Sequence, residues 1–315
     1  MTGETTPNRP PRPRVALLGA GTMGAGMAQR LLELGFPVNV WNRTPGPAAA
    51  LAEHGATVRA KPSEAVAAAE VVVTMLSNAD AVLDVMLRGG TLDALPSNAT
   101  WAQMGTIGVE AIERLAAEVA RRRPDVVFVD APVSGSREPA RTGRLLILAS
   151  GPARAHDAVD AVFAALGQRT LWLGPAGTAS RLKLVLNAWL AFEIEAAAEA
   201  SALAERLGVP YAPLANAVIG GPLASAAALS KLAKMEGGDY SADFSLKWAL
   251  KDLDLALVAS GAETTPVVMA IAERWRGLVA QGYGHLDISA ARLGLNAVPP
   301  TSDPDDHGKV PPIAA

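Results

Sequence analysis

The stretch Val15-Ala16-Leu17-Leu18-Gly19-Ala20-Gly21-Thr22-Met23-Gly24 decides the fold of this chain. Its four leading apolar residues predict a buried strand, and its glycines form a G-x-G-x-x-G turn before a helical pattern that runs to Leu34. This order is typical of a dinucleotide site, because the glycines allow a tight turn, close approach of backbone to a pyrophosphate, and packing of helix on strand. The helix N-terminus adds free N–H groups and a partial positive charge. An ordinary turn is the alternative. The residues expected to bind the dinucleotide are Gly19, Gly21, Thr22, Met23 and Gly24.

The composition excludes several kinds of site and partner. The 315 residues suffice for two domains, and a formal net charge of −3 gives no electrostatic reason to expect nucleic acid or an anionic membrane. The absence of cysteine excludes disulfides, thiolate metal sites and cysteine nucleophiles, and the four scattered histidines make a metal site improbable. The N-terminus lacks the apolar core of a signal peptide, and the most apolar long segment, 182–207, carries six charged residues. We therefore expect a cytoplasmic protein without a membrane span.

Strand patterns alternate with helical patterns as far as residue 174, which predicts an α/β fold with a doubly wound, mostly parallel Rossmann sheet. The later pattern is helical only and begins with one long alanine-rich helix, so an all-α C-terminal domain is expected. That helix is apolar on several faces, which suits a core position or a subunit interface, and a homodimer or tetramer is expected. The expected parts are a disordered arm at 1–13, a dinucleotide-binding domain at 14–174, an all-α substrate and dimerisation domain at 175–295, and a disordered tail at 296–315. The predicted strands are 14–19, 38–41, 70–76, 100–104, 126–130, 145–150 and 170–173, and the predicted helices are 22–34, 47–54, 80–87, 109–122, 153–165, 176–207, 211–219, 224–235, 246–260, 266–281 and 288–295.

The residues after the second predicted strand bear on which nicotinamide nucleotide binds. An NAD-binding domain usually carries an acidic residue about 20 residues past the glycines, where it accepts hydrogen bonds from the ribose 2′-OH. This chain has Asn42, Arg43 and Thr44 there. A guanidinium can pair with a 2′-phosphate, whereas a carboxylate would repel it. NADP(H) is therefore favoured as cofactor, NAD(H) stays possible, and a solvated Arg43 is the alternative. A flavin is less favoured because the chain has no second nucleotide motif.

Lys183 and Asn187 are four residues apart in the long predicted helix, so they share one face of it among apolar neighbours. Burial disfavours the charged form of a lysine, so its pKa can fall toward the range that is useful for proton transfer. Hydride addition to a carbonyl creates an alkoxide, to which an ammonium can give a proton, and Asn187 could hold the lysine or the substrate oxygen. On spacing alone the alternative is a lysine whose charged end reaches water beside an apolar surface.

Taken in order, these motifs resemble the β-hydroxyacid dehydrogenase family, which includes 3-hydroxyisobutyrate dehydrogenases, tartronate semialdehyde reductases and glyoxylate/succinic semialdehyde reductases. The resemblance covers residues 14–295. Residues 19–24 match the family's cofactor loop, and 42–44 match the form seen in NADP-preferring members. Residues 177–187 match the catalytic helix, which places the proton-donating lysine on Lys183 and its partner asparagine on Asn187. The resemblance implies an NADP(H)-dependent oxidoreductase that interconverts a small 3-hydroxy acid and its semialdehyde, or reduces a related carbonyl.

Further segments of the family's site have counterparts here. Met75-Leu76-Ser77-Asn78 resembles a loop that passes the cofactor, which implies cofactor contacts for Met75, Leu76 and Ser77. Residues 130–136 match the substrate-binding loop, in which the Ser134 hydroxyl and the Gly135 backbone suit a small carboxylate. Relatives usually have a proline two residues after the position of Thr106, and this chain has Gly108 instead. Lys251 and Lys247 could equally form a solvated helix face. The remaining implied positions are Thr106 near the nicotinamide, Phe244 and Asp252 in the substrate pocket, and Lys251 near the substrate carboxylate or the cofactor.

Two other functions are weighed against this one. Imine reductases share the architecture but typically replace the lysine, often by aspartate or tyrosine. A cofactor-binding scaffold without turnover is the second, and Lys183, Asn187 and Ser134 together count against it. Three large aromatic residues either shape an apolar pocket or, as the favoured expectation, pack in the core: Trp101, Trp189 and Phe192.

Overall fold

The computed structural model describes residues 12–261 and 264–295. Apart from residues 12 and 13, the expected disordered arm and the whole of the expected disordered tail lie outside the described residues. By compactness the described chain divides into a first unit, 12–189 with 247–261 and 264–273, and a second unit, 190–246 with 274–295. No helix within the described part is both long and apolar enough to cross a membrane.

A six-stranded parallel sheet forms the centre of the first unit. Its strands lie in the order β3-β2-β1-β4-β5-β6, so the order reverses beside β1. In open sheets of this kind, ligands bind outside the carboxyl ends of the strands at the point of reversal. The loops that follow β1 and β4 therefore stand where a ligand is expected. The strands are β1 (Val15–Leu18), β2 (Val38–Trp41), β3 (Thr57–Val58), β4 (Val71–Thr74), β5 (Thr100–Gln103) and β6 (Val127–Asp130).

Helices cover both faces of this sheet, which confirms the doubly wound fold. Val15 and Leu17 of β1 face one apolar core, and Ala16 and Leu18 face the other. Because both faces of β1 are buried, its residues are apolar throughout instead of alternating with polar ones. The helices of this part are α1 (Thr22–Glu33), α2 (Pro45–Ala52), α3 (Pro62–Val66), α4 (Ala79–Leu83), α5 (Val109–Arg122), α6 (Arg137–Thr142) and α7 (Ala155–Leu166).

A second, three-stranded sheet follows the first along the chain. It comprises β7 (Val133–Ser134), β8 (Leu145–Ala149) and β9 (Gly167–Trp172), with β7 antiparallel and β9 parallel to β8. The sequence analysis did not separate this sheet from the main one, because an apolar run indicates burial but not which strand is its neighbour. An isolated bridge between Asp130 and Ser150 connects the end of β6 with the residue after β8.

After Trp172 the described residues form helices, with one isolated bridge between Ser245 and Asp287, which confirms the helical C-terminal half. These are α8 (Thr178–Arg206), α9 (Tyr211–Val218), α10 (Ala226–Gly237), α11 (Leu246–Ser260) and α12 (Pro266–Ala280). Since α8 contributes residues to both compact units, the domain limits near residue 175 stay a prediction.

Short and irregular elements were not predicted. The predicted helix 80–87 is present, but its second half continues as a π-helix at 84–88, and 288–295 form a 3₁₀-helix where an α-helix was expected. The elements β3, β7, α3 and α6 have two to six residues each, too few for a hydrophobic period to show.

The second unit has a core stabilised by buried ion pairs. Glu195 accepts hydrogen bonds from Arg274 and, at 2.8 Å, from the indole N–H of Trp275. Asp287 is fully buried and lies 2.9 Å from the Lys231 ammonium. It also accepts the backbone N–H of Phe244 at 3.2 Å, which holds the segment before α11.

Candidate active site

The glycine loop after β1 is shaped by two close backbone approaches. Gly19 has φ +107°, and a Cβ on it would lie 2.4 Å from the carbonyl oxygen of Met75. A Cβ on Gly24 would lie 1.9 Å from the carbonyl oxygen of Gly19. By contrast, a Cβ on Gly21 would meet no atom of the protein within 4 Å. The chain's own packing therefore requires the first and third glycines, whereas the second faces open space.

The start of α1 has the electrostatic character that a phosphate needs. The helix begins after Gly21 without a side-chain cap and without an acidic residue in its first turn. Its first N–H groups are consequently available to an anion, and the helix dipole favours negative charge there. Thr22 is exposed at this end and Met23 is half-buried.

Asn42 connects the glycine loop to the turn after β2. Its Oδ1 accepts the backbone N–H of Ala20 at 2.9 Å, and its Nδ2 donates to the carbonyl oxygen of Thr44 at 2.7 Å. An aspartate could accept the first of these hydrogen bonds but could not donate the second. Arg43 and Thr44 are exposed. The Asn42 side chain therefore makes hydrogen bonds within the protein, whereas Arg43 beside it is exposed to solvent.

The loops after β4 and β5 lie against the glycine loop in succession. Met75 donates its N–H to the carbonyl oxygen of Leu18 at 2.9 Å. A Cβ on Gly105 would lie 2.6 Å from the carbonyl oxygen of Leu76, so these two loops are also in close contact. Met75 and Leu76 are half-buried and Ser77 is exposed. The three neighbouring loops therefore form one continuous edge.

A buried polar network that the sequence analysis missed holds this edge. Thr74, Gln103 and Asp130 are the last residues of β4, β5 and β6 and are paired across the sheet. Thr74 Oγ1 accepts from the Trp101 indole at 2.9 Å and donates to Gln103 Oε1 at 3.0 Å. Gln103 Nε2 donates to the Gly105 carbonyl oxygen at 2.6 Å, which fixes the loop that carries Thr106. The sequence carried a signal for this network, namely a polar residue at the last position of each of three buried strands.

The structure brings five of the expected site residues together. Lys183 and Asn187 lie on α8 with 9% and 7% of their surface exposed. Asn187 Nδ2 donates to Asp252 Oδ2 at 2.5 Å, and Asp252 lies on α11 with 4% of its surface exposed. The Lys251 ammonium lies 2.7 Å from Asp252 Oδ1 and donates to the carbonyl oxygen of Thr106. The loop after β5, α11 and α8 are thus connected through polar side chains.

Burial controls the charge of this cluster. It lowers the pKa of Lys183 to about 8, with the Asp252 carboxylate acting to raise that pKa and the Lys251 ammonium acting to lower it. Burial also raises the pKa of Asp252, against the opposing effects of Lys251, Lys183 and Asn187. A lysine of pKa about 8 can both give and take a proton near neutral pH.

The two lysines of α11 differ in their surroundings. Lys251 is held by Asp252 and Thr106, with 22% of its side chain exposed, and is therefore not a solvated side chain. Lys247 is exposed, with its ammonium 5.0 Å from the centroid of the Trp248 ring. The loop after β5 meets the same helix at Gly108, whose φ is +92° and whose Cβ would lie 2.8 Å from Leu255 Cδ2. Proline cannot adopt that φ, so the departure from the family's usual residue has a local backbone cause.

Three other expected substrate residues are placed as follows. Ser134 is half-buried in β7 and paired with Leu146 of β8. Gly135 is exposed with φ +133°, and a Cβ on it would lie 2.9 Å from Leu145 Cδ2, so the chain itself requires a glycine there. Phe244 belongs to the second unit, where it is half-buried and accepts the N–H of Ile288 at 2.9 Å.

The three aromatic residues do not behave alike. Trp101 is fully buried, so core packing is confirmed for it. Trp189 and Phe192 are 61% and 39% exposed on α8, so core packing within one chain is wrong for these two.

Two family models match successive parts of the chain. The model for the NAD binding domain of 6-phosphogluconate dehydrogenase matches residues 14–174. The model for the NAD-binding region of NADP-dependent 3-hydroxyisobutyrate dehydrogenase matches residues 177–293. Glyoxylate/succinic semialdehyde reductase 1 of Arabidopsis thaliana is 33% identical over 279 residues, which are 88% of this chain and 96% of that protein.

Solved structures show the same architecture. Mycobacterium tuberculosis 3-hydroxyisobutyrate dehydrogenase, determined with L-serine, has a TM-score of 0.82 at 28% identity and covers 91% of this chain and 100% of its own. An imine reductase variant from Myxococcus stipitatus, determined with NAD+, has a TM-score of 0.60 at 19% identity over 90% of this chain and 100% of its own, which shows a shared fold alone. Matches along both halves of the sequence, together with a relative at 33% identity over nearly its whole length, go beyond a shared fold. The chain therefore belongs to the β-hydroxyacid dehydrogenase family of NAD(P)-dependent oxidoreductases.

Proposed function

We propose that the protein is an NADP(H)-dependent oxidoreductase that interconverts a small 3-hydroxy acid and its semialdehyde, or reduces a related carbonyl. The observation that carries this proposal is a buried lysine of lowered pKa, Lys183, on the same helix face as an asparagine that binds a buried aspartate. Names of relatives, a glyoxylate/succinic semialdehyde reductase and a 3-hydroxyisobutyrate dehydrogenase, support the substrate class.

In this proposal the protein's residues donate a proton to the substrate oxygen or remove one from it. The nicotinamide, when bound, supplies or accepts the hydride. The Lys183 ammonium donates a proton to the substrate oxygen during reduction, and its neutral amine removes that proton during oxidation. The Asp252 carboxylate favours the ammonium form, and Asn187 orients that carboxylate.

The binding roles follow from position and resemblance and are part of the proposal. Cofactor contacts are assigned to the loops at the carboxyl ends of the strands, where the chain leaves space at Gly21 and an uncapped helix start. The substrate carboxylate is assigned to Ser134, Gly135 and Lys251, and the rest of the pocket to Thr106, Phe244 and Asp252. The cofactor residues are Gly19, Gly21, Thr22, Met23, Gly24, Asn42, Arg43, Thr44, Met75, Leu76, Ser77, Thr106 and Lys251.

A substrate comparison tests the proposal. Oxidation of NADPH and NADH is followed with glyoxylate, succinic semialdehyde, methylmalonate semialdehyde and a cyclic imine as separate substrates. We expect turnover of at least one aldehyde acid, with NADPH as the better donor. Turnover of the imine without any aldehyde acid would instead identify an imine reductase. Tight NADPH binding without turnover over a broader carbonyl and alcohol panel would support a scaffold.

Cofactor preference is tested at Arg43. The variant Arg43→Ala is expected to raise KM for NADPH by about 10-fold to 100-fold, because a hydrogen bond to a charged group contributes about 1.5–3 kcal/mol. KM for NADH should change little, since that nucleotide has no 2′-phosphate. Arg121→Ala, an exposed arginine in the last turn of α5, is the matched control and should leave both values unchanged. Equal losses for both nucleotides at Arg43 would contradict the 2′-phosphate assignment.

The pH dependence of turnover should follow the protonation of Lys183. Burial lowers the pKa of this lysine to about 8, so the ammonium that reduction needs is present below that pH and lost above it. We expect kcat for reduction to be level at lower pH and to fall as pH rises through about 8. Oxidation needs the neutral amine, so its kcat should rise through the same pH. Initial rates at saturating substrate in both directions measure these profiles. If kcat rises with pH in both directions, or falls in both, Lys183 is not the group whose protonation controls turnover.

A homodimer or tetramer is proposed from the exposed side of α8. Exposed apolar residues recur along this helix at spacings that place them on one stripe, a pattern suited to packing against another helix. Sedimentation velocity at micromolar concentration measures the assembly state, and a strict monomer would contradict this proposal. The cytoplasmic location expected from composition also stays a prediction. The residues of the stripe are Val185, Trp189, Phe192 and Leu203 of the helix, with Leu207 directly after its end.

A further inference from the structure

Asp130 received no role of its own in the sequence analysis, yet it lies at the start of the helix that carries Lys183. We propose that Asp130 is a positioning residue: its carboxylate anchors the first turn of α8 and thereby determines how deeply Lys183 is buried. The inference rests on the proposed role of Lys183 as general acid and deepens it.

The carboxylate of Asp130 is fully buried and surrounded by donors. Its Oδ2 accepts the backbone N–H groups of Gly177 at 3.1 Å and Ser180 at 3.0 Å. Its Oδ1 accepts the Ser180 hydroxyl at 2.7 Å, and its Oδ2 also accepts the Ser150 hydroxyl at 3.1 Å. Four hydrogen bonds from three residues therefore converge on a single side chain.

These contacts provide hydrogen-bond acceptors for the N–H groups at the start of α8. The first N–H groups of a helix have no partner within it and must be satisfied from outside. In α8 the N–H of Ala179 is accepted by the Ser150 hydroxyl at 3.1 Å, next to the two that Asp130 accepts. The partners come from the ends of β6 and β8, so the start of α8 is joined to both sheets.

The anchored side of α8 is the side that carries the proposed chemistry. Ser180, Lys183 and Asn187 are spaced by three and four residues, which places them on one face of the helix. The Asp130 carboxylate accepts hydrogen bonds from both the backbone N–H and the hydroxyl of Ser180, which lies one turn before the lysine. The same strand end is tied to the loop of Thr106, because Ala131 donates to the carbonyl oxygen of Gln103 at 2.8 Å.

A carboxylate suits this place better than the amide of the same shape. Burial raises the pKa of Asp130, and the hydrogen bonds from Ser180, Ser150 and Gly177 act to lower it. An asparagine can place its Oδ1 at the backbone N–H groups of Gly177 and Ser180 and its NH₂ at the Ser180 hydroxyl, which can also accept. It lacks the negative charge, however, which strengthens these hydrogen bonds and is favoured at a helix start. Asp130→Asn therefore weakens the anchor without removing volume.

The first measurement is kinetic. In Asp130→Asn we expect kcat to fall about 10-fold to 100-fold, because a displacement of about 1 Å at the reacting group can cost 100-fold. The break in the pH profile for reduction should move up from about 8 toward the ordinary value of 10.5, since a looser helix start exposes the lysine to water. NADPH affinity, measured by nucleotide fluorescence, should stay within about twofold. The matched control is Glu113→Gln, which removes an exposed ion pair to Arg181 in the same helix turn and should change none of these values.

The second measurement reads Lys183 without turnover. Acetylation of Lys183 by acetic anhydride, followed by peptide mass spectrometry across pH, reports the pKa of its amine. The midpoint of acetylation against pH should lie near 8 in the protein without substitutions and at a higher pH in Asp130→Asn. If Asp130→Asn does not fold, the double variant Ser150→Ala with Ser180→Ala, which removes two of the hydroxyl contacts, should shift the midpoint in the same direction.

The outcomes separate the two proposals. If the acetylation midpoint of the folded variant stays at its original value, the positioning role is wrong, whatever happens to kcat or to thermal stability. If the midpoint shifts while Lys183→Ala keeps full turnover, Asp130 positions the lysine but the proposed function of that lysine is wrong.

Discussion

Replacing Lys183 by alanine is expected to lower kcat for carbonyl reduction by about 100-fold to 10,000-fold, the range that one acid–base group contributes. The variant lacks the group proposed to protonate the alkoxide, and the neighbouring Lys251 is held by Asp252 and the carbonyl oxygen of Thr106. Stopped-flow and steady-state assays with the best aldehyde acid measure the effect. NADPH binding should survive, because the expected cofactor loops lie after β1, β2, β4 and β5 and not on α8.

The matched control for this prediction is Lys247→Ala, which removes an exposed lysine from α11. Its turnover should equal that of the unmodified protein. Lys183→Arg keeps the positive charge but not an acid of suitable strength, because a guanidinium does not give up its proton in proteins. It should therefore be almost as impaired as Lys183→Ala. Full activity in Lys183→Ala would eliminate the lysine from the mechanism.

Two glycine substitutions are expected to separate packing from cofactor binding. Gly24→Ala places a methyl group 1.9 Å from the Gly19 carbonyl oxygen, a backbone atom that can move only if the loop moves. Overpacking of this kind costs about 1–3 kcal/mol of unfolding free energy, and we expect both a lower melting temperature and a loss of NADPH binding. Denaturant unfolding and nucleotide fluorescence measure the two effects.

Gly21→Ala is the informative partner of this variant. The φ of Gly21 is −69°, and a Cβ there would meet nothing within 4 Å, so stability should change by no more than about 0.5 kcal/mol, as for ordinary surface substitutions. The added methyl group nevertheless stands where the pyrophosphate is expected to approach the backbone. We therefore expect NADPH affinity to fall by about tenfold or more, in line with one lost contact to a charged group. Unchanged affinity in Gly21→Ala would place the phosphates elsewhere, and an unchanged melting temperature in Gly24→Ala would mean that the loop can relax.

Much of the fold could be predicted because its signals are local. The apolar run of β1, the spacing of the glycines after it and the apolar spacing of Ile112, Leu115 and Val119 in α5 each lie within a short stretch of chain. What escaped prediction was either very short, such as β3 and α6, or depended on a partner far away in sequence. The separate sheet of β7, β8 and β9 belongs to the second kind, because strand pairing is a choice between distant segments.

The candidate site divides in the same way. The shared helix face of Lys183 and Asn187 follows from their spacing, and the asparagine and arginine after β2 could be read directly. The hydrogen bond from Asn187 to Asp252 joins residues 65 apart, and that from Lys251 to Thr106 joins residues 145 apart, so neither follows from a local pattern. The hydrogen bonds of Asp130 were missed although its motif was noticed, because its partners come from the start of α8 and the end of β8.

The amino-acid sequence by itself determined the α/β fold, the glycine loop and the helix face on which the lysine lies, because periodicity and glycine spacing act over a few residues. The tertiary structure alone decided the pKa of Lys183, about 8, because burial and the distances to Asp252 and Lys251 depend on how α8 and α11 are packed. It likewise decided that Trp189 and Phe192 are exposed, since an apolar residue on a long helix is buried only where another element covers it.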